Sequence, residues 1–161
     1  MTDTKDTKID DVWRLMASIR FCMFSNWNGE RLHSRPMGAF VRRAEDAIYF
    51  FTDDRAHKDE EIREYPQICL TFADPHGQKY VSVSGTAEIN SDRAKIEELW
   101  AVPAKVWWST PDNPHLRLIK VTPEQAEYWD APGNVMSSLK IAFTLATGKR
   151  LGYGDHKKVA L

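Results

Sequence analysis

The sequence lacks the features that mark a membrane protein, a nucleic-acid-binding protein or a disulfide-stabilised protein. No apolar run in its 161 residues approaches the roughly 20 residues that a membrane-spanning helix needs. The formal net charge of −1 provides no basic field to hold a nucleic-acid backbone. Only two cysteines are present, Cys22 and Cys69, and both lie in apolar segments typical of buried free thiols. We therefore expect a protein of a reducing cytoplasm that binds neither nucleic acid nor membrane.

The chain also lacks the usual signatures of metal and nucleotide sites. Its five histidines are scattered without the spacing of metal ligands, so we predict no metal site. The three-glycine dinucleotide fingerprint and the P-loop are both missing. Strands and helices do not alternate regularly, so the pattern argues against a Rossmann fold.

The organisation that remains is that of one domain. Residues 1–8 are polar and lack the apolar region of a signal peptide, so we expect a disordered lead-in. Apolar residues then recur at helical spacing and predict a first helix over 8–19. We expect the folded domain to span 9–148 and a basic, mixed tail to span 149–161.

Short apolar runs separated by turn residues predict an antiparallel sheet. The Asn28-Gly29 pair predicts a hairpin turn, and Gly85 marks a bulge or a close backbone approach within its strand. Strands are predicted over 21–25, 31–42, 47–52, 68–73, 80–89, 116–121 and 126–130. Helices are predicted over 56–64 and over 134–147. A further helix is predicted between them; it is capped by Asn90 or Ser91 and contains Ile96 and Leu99. Six or seven antiparallel strands with helices at the edges predict an α+β domain built on a small barrel.

A basic loop follows the third predicted strand. Arg55, His57 and Lys58 stand where the helix over 56–64 begins, although acidic residues would stabilise a first helical turn better. Free backbone N–H groups and the positive end of the helix dipole attract anions, and added cations favour a phosphate. Taken alone, the pattern leaves a merely solvated loop as the alternative.

Four segments in this order resemble the FMN-binding split barrels of the pyridoxamine-phosphate-oxidase-like family, most closely their general stress protein branch. They are residues 35–40, residues 49–52 with 57–58, residues 81–88, and residues 121–130. The resemblance implies an antiparallel six- to seven-stranded split β-barrel with Greek-key topology and peripheral helices. It also implies FMN as the cofactor and a homodimer with FMN at the interface.

The resemblance further implies which residues contact the cofactor. The predicted FMN-binding residues are Arg35, Pro36, Met37, Gly38, Phe40, Phe51, Thr52, His57, Lys58 and Trp107. Within this set, Arg35, His57 and Lys58 are expected at the phosphate end. Trp107, with Trp108, is a candidate wall beside the flavin, and the alternative is an aromatic anchor of a proline-rich loop or of the dimer interface.

Two departures from the oxidases bear on activity. Tyr80 stands where the oxidases have a cofactor-contacting glutamine, and residues 148–156 lack their tryptophan, arginine and histidine pattern. We therefore expect no true pyridoxamine-phosphate oxidase activity. The leading interpretation is a general stress-type FMN-dependent oxidoreductase with an unidentified small-molecule substrate and no assigned catalytic residue. A non-enzymatic flavin-storage or flavin-sensing protein is the alternative, and the fold also accommodates a deazaflavin or haem.

Overall fold

The computed structural model describes residues 3–56, 58–100, 110–130 and 155–161. Within these residues the helices are α1 Asp3–Ile19, α2 Lys58–Glu64 and α3 Arg93–Leu99. The strands are β1 Phe21–Trp27, β2 Leu32–Gly38, β3 Phe40–Arg42, β4 Ala47–Asp53, β5 Gln67–Asp74, β6 Lys79–Asn90, β7 Leu116–Asp130 and β8 Asp155–Ala160. No helix among the described residues is long and apolar enough to cross a membrane.

The strands form one antiparallel sheet that curls back on itself. Their order is β2-β1-β5-β6-β7-β4-β3, and β8 pairs with β7 beside this path. The two end strands, β2 and β3, follow each other directly in the chain and are separated only by Ala39. Because one continuous segment lines both ends of the sheet, the sheet closes into a split barrel. The predicted α+β split-barrel fold is confirmed.

The inner face of the sheet holds the main hydrophobic core. Phe24 of β1 and Phe50 of β4 meet edge to face, with ring centroids 5.4 Å apart. Val12 and Met16 of α1 pack into the same cluster and are fully buried. Burying a side chain of this size stabilises a fold by roughly 1.5–3 kcal/mol, so this core supplies the main driving force for closure.

A second cluster covers the other face of β4. Tyr49 and Phe51 of this strand pack with Leu118 of β7 and with Ile96 and Leu99 of α3. Strand β4 is therefore buried on both faces, which explains why its sequence is a continuous apolar run instead of an alternating one.

Strand β7 runs unbroken through Leu116–Asp130, so the prediction of two strands around Thr122-Pro123 was wrong. Pro123 pairs with Gly85 where the register between β6 and β7 shifts. The missing N–H of proline thus falls at a bulge, where the ladder is already interrupted. A Cβ on Gly85 would overlap the Thr122 carbonyl oxygen. The predicted bulge at Gly85 is confirmed.

Other element boundaries also differ from the sequence-based expectation. Helix α3 is capped by Asp92, whose Oδ1 accepts a hydrogen bond from the Lys95 N–H at 3.0 Å, and neither Asn90 nor Ser91 serves as the cap. The predicted strand 31–42 is split at Ala39. Helix α1 begins at Asp3, and residues 155–160 form a strand that the sequence pattern did not predict. The predicted helix 134–147 lies outside the described residues.

The two cysteines have different environments. Cys22 is buried on the inner face, and burial raises the pKa of its thiol to about 12. Cys69 is only partly buried, contrary to expectation, because β5 directs it to the opposite face of the sheet. Both are free thiols, as predicted.

Candidate functional site

Strand β2 presents two pairs of predicted site residues on opposite faces. Met37 packs against the main core and Arg35 shares its inner face, since side chains alternate along a strand. Pro36 and Gly38 therefore point to the outer face of the sheet. A ligand along β2 would meet side chains on one side and mainly backbone on the other.

Arg35 is held in a closed polar triangle that joins β1, β2 and α2. Its guanidinium donates to the Oδ1 of Asn26 at 3.2 Å, and the Nδ2 of Asn26 donates to the Oε2 of Glu61 at 2.9 Å. The third side is an ion pair between Arg35 and Glu61 at 3.6 Å. Asn26 is only 1% exposed, so it anchors both charged side chains from the barrel interior.

Lys58, the first residue of α2, lies close enough to Arg35 for their charges to interact. Burial lowers the pKa of the Lys58 ammonium, and the charge of Arg35 lowers it further. Asp59, Glu61 and Asp53 act in the opposite direction. The fold thus brings together two cations that stand 23 positions apart in the sequence and were predicted from separate segments.

Arg55, the first basic residue of the predicted loop, is occupied elsewhere. Its Nε and NH2 donate to the two carboxylate oxygens of Asp53 at 2.8 and 2.6 Å. This bidentate pairing holds the pKa of Asp53 well below its usual range. Of the two basic loop residues that the structure describes, Arg55 pairs with Asp53, whereas the charge of Lys58 interacts with that of Arg35. His57 lies outside the described residues.

Thr52 carries a buried hydroxyl without a partner among the described residues. Its side chain is 2% exposed and its Oγ1 makes no hydrogen bond. By strand alternation it shares the inner face of β4 with Ile48 and Phe50, the side on which Arg35 lies. An unpaired buried hydroxyl costs free energy unless a ligand or water satisfies it. Thr52 therefore fits a place beside a bound polar molecule.

Asp59 is a functional candidate that the sequence pattern did not reveal. The residue is 5% exposed, and neither carboxylate oxygen has a hydrogen-bond partner among the described residues. Burial raises its pKa, and nearby Asp54 raises it further, whereas Arg63 and Arg117 lower it. The available signal was its position three residues before the buried Ile62, on the same helix face.

Phe40 and Phe51, the aromatic residues predicted to contact the cofactor, lie in another part of the barrel. The rings of Phe40 and Phe51 meet edge to face at 5.1 Å, and Phe51 also contacts Trp100 at 6.0 Å. These rings belong to the second hydrophobic cluster, on the opposite face of β4 from Thr52. Arg35 and Thr52 therefore share the inner face of the sheet, whereas Phe40 and Phe51 pack on the opposite face of β4. Trp107 and Trp108 lie outside the described residues.

Large apolar side chains are exposed across one face of the sheet, which we call the outer face. These residues are Phe21, Met23, Trp27, Leu32, Tyr80 and Trp129. Trp27 pairs directly with Leu32, and Tyr80 pairs with Trp129, so both pairs are cross-strand neighbours. The described helices pack in the two hydrophobic clusters and leave this part of the sheet uncovered. Several exposed apolar side chains on one face of a sheet are typical of an interaction surface.

A cluster of metal-binding side chains is not found in the described part of the chain. No group of three or more histidine, cysteine, aspartate or glutamate side chains there could hold a metal ion. The available polar chemistry is the cation pair, the Thr52 hydroxyl and the nearby acidic side chains.

Comparison with known proteins gives consistent matches over most of the chain. The model of the family described as Pyridoxamine 5'-phosphate oxidase like matches residues 7–152. General stress protein 26 of Bacillus subtilis (strain 168) is 29% identical over 112 residues, which are 68% of this chain and 79% of that protein.

Two solved structures have a similar fold. A general stress protein 26 from Jannaschia sp. CCS1 superposes with a TM-score of 0.79 at 21% identity, covering 97% of this chain and 99% of that chain. A general stress FMN/FAD binding protein from Xanthomonas citri gives a TM-score of 0.67 at 21% identity, covering 81% of this chain and 90% of that chain.

Proposed function

The chain belongs to the Pyridoxamine 5'-phosphate oxidase like family, and from this premise we propose that it is a general stress-type protein that binds FMN. The observation that carries the proposal is that Arg35 is held against α2 by Asn26 and Glu61, on the helix that begins with Lys58. The phosphate of FMN carries close to two negative charges at neutral pH and requires charged donors. Arg35 and Lys58, whose charges act on each other, can supply these donors.

Thr52, Pro36 and Gly38 fit other parts of FMN. Arg35 and Lys58 would hold the phosphate, and the unpaired Thr52 hydroxyl would bond a neighbouring polar group of the ligand. The backbone beside Pro36 and Gly38 is open to a flat ring, because proline donates no ladder hydrogen bond and glycine has no side chain. When bound, the flavin supplies the redox chemistry, while the protein binds and orients it.

We expect an oxidoreductase that acts on a small molecule, with a non-enzymatic flavin-storage or flavin-sensing role as the second candidate. Steady-state oxidation of a reduced nicotinamide by the purified flavin-loaded protein distinguishes the two. The absorption spectrum of the purified protein separates flavin from a deazaflavin and from haem, which has a Soret band. Pyridoxal phosphate formation at catalytic enzyme levels would contradict our expectation that the chain is not a true pyridoxamine-phosphate oxidase. We also expect a cytoplasmic location.

The Lys58→Ala substitution tests the phosphate site. Losing one charge-assisted hydrogen bond should weaken FMN binding by roughly 1.5–3 kcal/mol, about 10- to 100-fold. Riboflavin, which lacks the phosphate, should bind the wild type and the variant equally. Flavin fluorescence quenching measures both affinities.

Lys79→Ala is the matched control for this experiment. Lys79 opens β6 opposite Asp130, so the substitution removes a charge of the same kind outside the Arg35–Lys58 pair. FMN affinity should not change in this variant. Equal FMN affinities for the wild type and Lys58→Ala would remove the phosphate-site assignment.

We further propose a homodimer in which FMN lies at the interface. The apolar outer face supplies aromatic and methionine side chains, which interfaces favour. Light scattering at micromolar concentration should give twice the 18.5 kDa chain mass. A monomer with flavin bound would contradict the proposal.

A further inference from the structure

We propose that Glu61 is the built-in counter-ion of the Arg35–Lys58 cation pair and competes with the flavin phosphate, so that it sets the affinity of the site. This inference rests on the proposed function, because the competing anion is the phosphate of FMN. It concerns a residue of α2 that we expect to weaken binding, in contrast to the residues that hold the ligand.

The geometry fixes Glu61 beside the cations. Its Oε2 accepts a hydrogen bond from the buried Asn26 at 2.9 Å and lies 3.6 Å from the Arg35 guanidinium. The side chains of Arg35 and Glu61 are 26% and 22% exposed, so solvent screens their attraction only in part. The carboxylate also supports the charged form of Lys58. One acidic side chain therefore serves both cations.

The electrostatic consequence differs between the empty and the loaded protein. In the empty protein, Arg35 and Lys58 repel each other at the start of α2, and the negative charge of Glu61 offsets that repulsion. A bound phosphate would supply the same compensation with nearly two negative charges. Glu61 then becomes a third negative charge in the site and repels the ligand. Removing its charge should thus have opposite effects on stability and on binding.

Glu61→Gln provides the test, because glutamine keeps the size of the side chain and an oxygen that accepts from Asn26. We expect FMN to bind roughly three- to tenfold more tightly, the range for one partly screened ion pair. Riboflavin affinity should stay the same. The melting temperature of the flavin-free variant should fall, since Arg35 loses the charge of its ion-pair partner. If Glu61 served only to support the structure, FMN affinity and melting temperature would fall together.

Glu60→Gln is the matched control, since Glu60 is the exposed neighbour on the same helix. It should change FMN affinity less than Glu61→Gln does, and it should leave the melting temperature unchanged. FMN affinity in Glu61→Gln that equals the wild-type value or falls below it would overturn the inference. Failure of the wild type itself to bind FMN would instead overturn the proposed function, so the two failures are distinguishable.

Discussion

Thr52 shows how a single residue links the stability of the barrel to ligand binding. Its buried hydroxyl lacks a partner in the described structure and therefore costs free energy in the empty protein. Thr52→Val replaces the hydroxyl by a methyl group of similar size. We expect the flavin-free variant to be about 1 kcal/mol more stable to denaturant, since an unpaired buried polar group has been removed.

Flavin affinity should change in the opposite direction in the same variant. If the hydroxyl bonds the ligand, Thr52→Val should weaken FMN binding by about 1 kcal/mol, roughly fivefold. Thr122→Val is the control, because Thr122 is exposed on β7 opposite Thr86 and should affect neither quantity. Unchanged FMN affinity in Thr52→Val would separate this hydroxyl from the cofactor site.

Single residues also show what the sequence could and could not predict about the site. Arg35 and Lys58 were identified because a cation in a strand and a cation at the start of a helix are both unusual. Each also lies in a segment that carries the family resemblance. The sequence pattern does not single out Asp59 and Glu61, because acidic residues are usual in the first turn of a helix. Their environments depend on which face of α2 meets Asn26 and the core, and that is settled by tertiary packing.

Helix α2 carries a buried acid, and this element therefore gives stability a pH dependence. Burial raises the pKa of Asp59 above its ordinary value of 3.8, so the native state holds the proton more tightly than the unfolded chain. The resulting stability is fully present below about pH 3.8 and is lost as the pH rises through the higher native pKa. Ionised Asp59 thus destabilises the protein at neutral pH.

Asp59→Asn should remove this penalty. We expect a gain on the order of 1 kcal/mol at neutral pH, because a neutral amide replaces the buried carboxylate charge, and the gain should shrink as the pH falls toward 4. Denaturant titrations across this pH range measure it. Asp112→Asn, at an exposed turn, should show no such trend. A gain that is independent of pH would contradict the assignment.

At the level of elements, most strands were predictable because alternating apolar residues leave a clear signal. The failures have local physical causes. Pro123 indicated a strand break, yet the bulge at Gly85 removes the need for its N–H. Strand β8 carries Asp155, Lys157 and Lys158, and its polar sequence favoured a tail. Its pairing with β7 supplies the hydrogen bonds that hold it in the sheet.

On the scale of the whole molecule, closure of the barrel links the proposed flavin site to the proposed dimer interface. Strands β2 and β3 join the two ends of the sheet through Ala39, and β2 carries Arg35 on its inner face. The neighbouring strand β1 contributes Phe21 and Met23 to the apolar outer face. A partner that covers this face would therefore approach the strand along which we expect the flavin to lie. Dimer formation and flavin binding should be thermodynamically coupled.

Met23→Arg tests this coupling, because Met23 lies on the outer face next to Pro36 in the β1–β2 register. An unpaired charge buried in an apolar interface should weaken the dimer by roughly 3 kcal/mol, about a hundredfold in its dissociation constant. We expect light scattering to report monomers at micromolar concentration, with a native circular dichroism spectrum and weaker FMN binding. Ala17→Arg, on the exposed side of α1, should keep both the dimer and its FMN affinity. A Met23→Arg protein that remains dimeric would place the interface elsewhere. Monomers that bind FMN with wild-type affinity would show that one chain holds the cofactor alone.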